Sequence, residues 1–109
     1  MEIKELDWKI FRELREIALK RFCDQILSEV GQLIADTSKS SHQRYLALHQ
    51  RLRRRDQELS AAFDGLRRSA APGQLFSVHK LGLLTEIEIG RFSEEMRRTL
   101  DMFLAKEIN

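Results

Sequence analysis

The chain has 109 residues, enough for one small domain, and a fold of that size buries roughly 65% of its unfolded surface. Apolar residues make up 42% and charged residues 33%, which is too apolar for a disordered chain and too charged for a membrane span. A net charge of +2 does not by itself imply nucleic acid, and one proline with five glycines excludes a collagen-like or linker-like chain.

The charge is unevenly placed. Residues 1–36 carry six basic and eight acidic groups, residues 37–70 eight and three, and residues 71–109 five and six. Any electrostatic function would sit in the middle third. The N-terminus lacks the basic and apolar regions of a signal peptide, and no stretch approaches 18 apolar residues. One cysteine excludes an internal disulfide, so the expected location is a reducing cytoplasm.

Residues 3 to about 35 read as one long helix, free of proline and rich in Glu, Lys, Arg, Leu and Ile. At about 100° per residue its apolar side chains form two stripes. Trp8, Phe11, Ala18, Phe22, Ile26, Val30 and Leu33 line one side. Ile3, Leu6, Ile10, Leu14 and Ile17 line the opposite side of the first half, and a helix apolar on two sides is buried on two sides.

Ser40 followed by Gln43 predicts a capping box, opening a second helix from about Ser41 to Arg68. Tyr45, Leu48, Leu52, Leu59, Ala62, Phe63 and Leu66 would be its inward stripe. A short link between long helices predicts an antiparallel hairpin. Ser69-Ala70-Ala71-Pro72-Gly73 is the clearest break in the chain. Beyond it, Leu75–Leu81 predicts a short helix ended by Gly82, and Thr85 with Glu88 caps another over Glu86–Arg91. Ser93 caps a last helix to about Lys106, with Met96, Leu100, Phe103 and Leu104 inward. No strand signal occurs. The expected fold is all-α: one domain over 1–109, a long antiparallel hairpin with two or three short C-terminal helices packed on it.

Chemistry-bearing constellations are sparse. His42 and His49 lie seven apart on one helix face, two turns and about 10.5 Å from each other, too far to grip one metal ion. His79 lies in another segment. Cys23, among Phe22, Ile26 and Leu27, reads as a packed structural thiol that reacts slowly. The carboxylates sit at helical spacing from bases, as in Glu5–Lys9 and Glu16–Lys20. There is no phosphate-cradling glycine loop and no Gly-x-Ser-x-Gly elbow. These observations predict no enzyme activity, no cofactor and no metal.

The arginines of the second helix are the exception. Arg51, Arg53, Arg54 and Arg55 ring the helix, and only Arg44, Arg51 and Arg55 align as a stripe. Arg55 falls inside its helix's apolar arc, so its stem packs and its head snorkels, or it pairs with an acid from helix 1. The expected function is a non-enzymatic helical interaction protein, an adaptor or dimeric accessory subunit with a protein partner and no membrane contact. The alternative is a nucleic-acid-associated protein, or one with an acidic partner, acting through Arg44, Arg51 and Arg55. Ile3, Leu6, Ile10, Leu14 and Ile17 are the candidate self-association surface of a homodimer, because five aliphatic side chains in line exceed the patch a monomer leaves bare. The C-terminal helices, through Met96, Leu100, Phe103 and Leu104, are the other possible cover.

Overall fold

A computed structural model describes residues 3–108, all helix and turn. Helix α1 runs Glu5–Ala35, α2 Ser41–Phe63, α3 Ala71–Lys80, α4 Glu86–Ile89 and α5 Glu94–Ile108, with a 3₁₀ turn over Arg68–Ala70 before α3. No strand occurs among the described residues.

Both predicted capping boxes form. The Ser40 side chain accepts from Gln43 N–H while the Gln43 side chain accepts from Ser40 N–H, and Thr85 and Glu88 repeat the arrangement. They satisfy the first amide groups of α2 and α4 and fix where those helices begin.

Helix α2 stops at Phe63, short of the predicted Arg68. Gly65 takes φ +70°, a left-handed conformation in which a side chain is strained. The buried Gln74 amide then donates to the Asp64 and Gly65 carbonyls, at 2.6 and 3.3 Å, and so holds the turn. Leu66, expected on the inward stripe, is left exposed in this loop. The Pro72-Gly73 break is instead the first turn of α3, where proline's missing N–H costs no hydrogen bond. Gly82, at φ +73°, ends α3 as predicted, and the following Leu83 N–H donates to Val78 O.

The early stop of α2 reorganises the core. Arg15 donates to Phe63 O at 2.6 Å, so α2 ends level with Arg15 and leaves the first three turns of α1 uncovered. Helices α3, α4 and α5 cover them. Ile3, Ile10, Phe11 and Leu14 pack with Ala71, Leu75, Ile89, Phe92, Met96 and Leu100 in one cluster, and Trp8 and Ile17 lie against it. Ala18 and Phe22 pack with Ala62, Phe63, Val78 and Leu83 in a second. Trp8 and Phe11 therefore serve the C-terminal helices, while Ala18 and Phe22 of the same stripe meet the end of α2.

Asp7 locks this base. It is 2% exposed, and its carboxylate accepts from Ser93 N–H (2.8 Å) and Ser93 Oγ–H (2.6 Å). Ser93 Oγ in turn accepts from Met96 N–H at 3.1 Å, which caps α5. Arg21 adds a bidentate grip on Glu88 and donates to Leu83 O. The Arg21 hydrogen bonds, with Thr85 N–H, hold the Glu88 carboxyl at about 2, far below its ordinary 4.5.

The outcome is a base with an arm. The base comprises the first half of α1, the end of α2 and helices α3–α5. The arm is the hairpin of residues 22–58; Phe22 and Ile26 at its root join the second cluster with Val78 and Leu83, and beyond them no third layer covers it among the described residues. The molecule measures 52 × 30 × 25 Å, elongated along this arm.

Candidate interaction site

The sequence-predicted self-association stripe is not a free surface. Ile3, Ile10 and Leu14 are buried in the chain's own core and Ile17 is half-buried against it; only Leu6, 61% exposed, stays open. The cover is the C-terminal face, with Met96 and Leu100 buried on it and Phe103 half-buried, stacked on Phe76 at 5.4 Å. A second chain cannot dock on that stripe without displacing α3–α5. The self-association surface assigned to Ile3, Leu6, Ile10, Leu14 and Ile17 is therefore corrected.

The arginine stripe is also spoken for. Arg44 donates to Ile34 O at 2.6 Å, satisfying a carbonyl at the C-terminal end of α1. Arg51 pairs with Glu29 at 3.1 Å. Arg55 pairs with Glu29 through both its Nε and Nη2, lies near Glu58, and sits over the Phe22 ring at 5.3 Å. Arg55 thus takes the acid from helix 1 that its place in the apolar arc required. Hydrogen bonds from Arg55 and then Arg51 hold the Glu29 carboxyl at about 2. Arg55, 14% exposed and held through several nitrogens, is committed to the hairpin, while Arg44 and Arg51 each spend one guanidinium nitrogen on tying α2 to α1.

The histidines are separate. His42 and His49 are exposed on α2, with His49 Nε2 2.9 Å from Arg53, and His79 is half-buried on α3. Among the described residues no group of three or more His, Cys, Asp or Glu side chains is placed to hold a metal ion. Cys23 is exposed, contrary to the packed thiol expected; it lies about 70° round the helix from Ile26, Glu29, Val30 and Leu33, on the side of Leu27 and away from the base.

What remains unpartnered is one face of the arm. The α1 residues turned toward α2 are Ile26, Glu29, Val30 and Leu33, and the α2 residues turned toward α1 include Arg44, Leu48, Arg51 and Arg55. Leu27 and Ile34 stand roughly 100° round from the first set, and Tyr45 and Leu52 roughly 80° round from the second, in the same rotational sense. Antiparallel helices are related by a two-fold axis perpendicular to their plane, so equal rotations reach the same side. All four side chains consequently lie on one face, called here the front. Asp7, Ile10, Leu14 and Ala18 are rotated about 100° the other way on α1, which puts α3–α5 on the back.

The bonds Arg15–Phe63 O and Arg44–Ile34 O fix the register, setting Leu27 level with Leu52 and Ile34 level with Tyr45. Leu27 is 69% exposed, Tyr45 63%, Ile34 54% and Leu52 38%. Beside them a shallow concavity of about 550 Å³ is lined by His49, Leu52, Arg53, Asp56, Gln57 and Ser60. Two level apolar rungs with a hollow next to them form a surface that water covers at a cost. The inward stripe predicted for helix 2 had included Tyr45 and Leu52. Leu27 and Ile34 fell outside both predicted stripes, which was the available signal for a third apolar face.

No protein-family model, no curated protein and no solved structure matches this chain. Among the described residues no helix is long and apolar enough to cross a membrane.

Proposed function

We propose that this protein is a non-enzymatic interaction module whose hairpin arm docks another protein through its front face. One observation carries the reading: Leu27, Ile34, Tyr45 and Leu52 are aligned in two level rungs on the part of the arm that no third layer covers among the described residues. Each large apolar side chain gains about 1.5–3 kcal/mol on full burial, so a partner that covers this face collects several such increments. The base supports the arm: Asp7–Ser93 and Arg21–Glu88 tie α1 to the C-terminal helices and leave the front clear. We place the protein in the cytoplasm, where the exposed thiol of Cys23 stays reduced.

A photo-crosslinking side chain in place of Tyr45, tested in the native cell, checks the proposal. Position 54 on the same helix is the control, because Arg54 is exposed and lies about 180° round from Tyr45. Crosslinks to protein from position 45 and none from position 54 are expected. Absence of any crosslink at 45, or equal yields at both positions, would refute a docking face on the front.

A further inference from the structure

Building on that reading, we infer that the occupant of the front face is a second copy of this chain, the two arms packing front to front as a four-helix bundle. Three observations lead there: the spacing of the apolar residues, the distribution of charge and the area available.

The spacing is that of a bundle. Tyr45, Leu48, Leu52, Arg55, Leu59 and Ala62 follow each other by alternating steps of three and four along α2, the repeat that lines a bundle axis. In the single chain this repeat is half used: Ala62 is buried, Leu48 and Leu59 are half-buried, and Tyr45 and Leu52 face solvent. A second hairpin laid on the front completes the burial of the same repeat.

Charge selects the arrangement. Along the front, from residue 16 to 35, α1 carries Glu16, Asp24 and Glu29 against Lys20 and Arg21, whereas α2 carries five arginines against Asp56 and Glu58. Two front-to-front packings have two-fold symmetry. With the axis across the arms, α2 lies on α2 of the other copy and basic helices oppose each other. With the axis along the arms, α1 of each copy lies on α2 of the other. The second arrangement brings Asp24, which already pairs with Lys20 of its own helix at 2.7 Å, within two residues' rise of Arg53 of the other copy, on the flank of the interface. It also keeps both bases at the same end, and α3–α5 do not obstruct it because they lie on the back.

The area suffices. The front continues past the arm onto the base as far as Glu16, so that from Glu16 to Ala35 it is about 30 Å long and two helices, roughly 20 Å, wide. Closing it removes on the order of 700 Å² per copy, near the roughly 800 Å² of a standard stable interface.

Sedimentation equilibrium of the purified full chain, from low to high micromolar, tests the inference. A dimer mass is expected. Leu27→Lys with Tyr45→Lys, at two of the arm's most exposed apolar positions, should yield a monomer with unchanged helical circular dichroism. Asp24→Arg alone and Arg53→Asp alone should each weaken association by up to about fivefold, and the two swaps in one chain should restore it. A parent that stays monomeric at high micromolar, a dimer that survives the lysine pair, or a double swap no better than either single would overturn it. A monomeric parent whose position 45 crosslinks to a different protein would refute the second copy while upholding the docking face. A monomeric parent without crosslinks would remove both.

Discussion

Replacing Glu29 by glutamine removes the carboxylate that α1 offers to both Arg51 and Arg55. The Glu29 carboxyl is depressed from 4.5 to about 2, first by the Arg55 hydrogen bonds. At 1.36 kcal/mol per pKa unit that is roughly 3 kcal/mol of preference for the charged form in the folded state. One quarter of the Glu29 side chain is open to solvent, which screens part of this and leaves about 2 kcal/mol. The substitution also strands the Arg55 guanidinium, only 14% exposed, on Glu58 and the face of Phe22. Urea denaturation followed by circular dichroism, at low protein concentration, should therefore give Glu29→Gln a loss of about 2 kcal/mol at neutral pH. The pH dependence has a fixed sign. A lowered folded-state pKa contributes fully above the unfolded value of 4.5 and is lost as pH falls through about 2. Parent and variant should thus differ by a constant amount from pH 7 down to 5 and converge toward pH 2. Replacing both partners, Glu29→Leu with Arg55→Leu, should cost less than Glu29→Gln alone, because no charge is left unpaired. A loss for Glu29→Gln below about half a kcal/mol, or one that persists undiminished at pH 2, would refute the assignment of Glu29 as the arm's central rung.

Three further outcomes are expected. Asp7→Ala should destabilise the fold by about 1–3 kcal/mol in the same denaturation assay, because Ser93 N–H and Oγ lose their buried acceptor; a neutral change would contradict that role. Gly31→Ala should stabilise the protein by about 0.8–1 kcal/mol, since Gly31 is helical and a Cβ there meets nothing within 4 Å; a lowered melting temperature would count against the open arm. Cys23 should react readily with a thiol reagent in dilute solution and more slowly at high protein concentration, as the second copy closes over the front; a rate independent of concentration would argue against that closure.

Much of the fold was legible because local chemistry decides it. Ser40 with Gln43 and Thr85 with Glu88 are complete capping boxes in the sequence, and Gly82 ends α3 where its pattern stops. The apolar faces of α1 were also visible. Their partners were not, since assignment depended on where α2 ends. Gly65 sets that end through a left-handed turn held by Gln74 from the next helix, a tertiary bond with no local signature. With α2 shortened, the C-terminal helices take the Ile3–Ile10–Leu14 face, and the stripe assigned to self-association becomes core. Asp7 was missed for a related reason. It lies between Ile3 and Ile10 at buried-face spacing, but its partner Ser93 is 86 residues away in sequence. The arginine stripe was seen correctly as a stripe; its acid, Glu29, became identifiable only once the hairpin's register was known. The front face had one local sign, Leu27 and Ile34 outside both stripes of α1, but that these lie level with Leu52 and Tyr45 on one side emerges only once the helices are set side by side.

The most direct measurement is the distance between spin labels in the two-copy assembly, placed singly at Glu16→Cys and at Thr37→Cys in a Cys23→Ser background. If α1 lies on α2 of the other copy, every residue stands level with its own counterpart. Both label pairs should then report similar separations, of about 20–25 Å, set by the diagonal of the bundle and the label arms. If the arms run in opposite directions, the Glu16 pair moves out beyond roughly 40 Å, given 1.5 Å of rise per residue from the centre of the apolar rungs. Equal short distances are the predicted result; a long Glu16 separation, or no dipolar coupling at either position at high concentration, would contradict the paired arms.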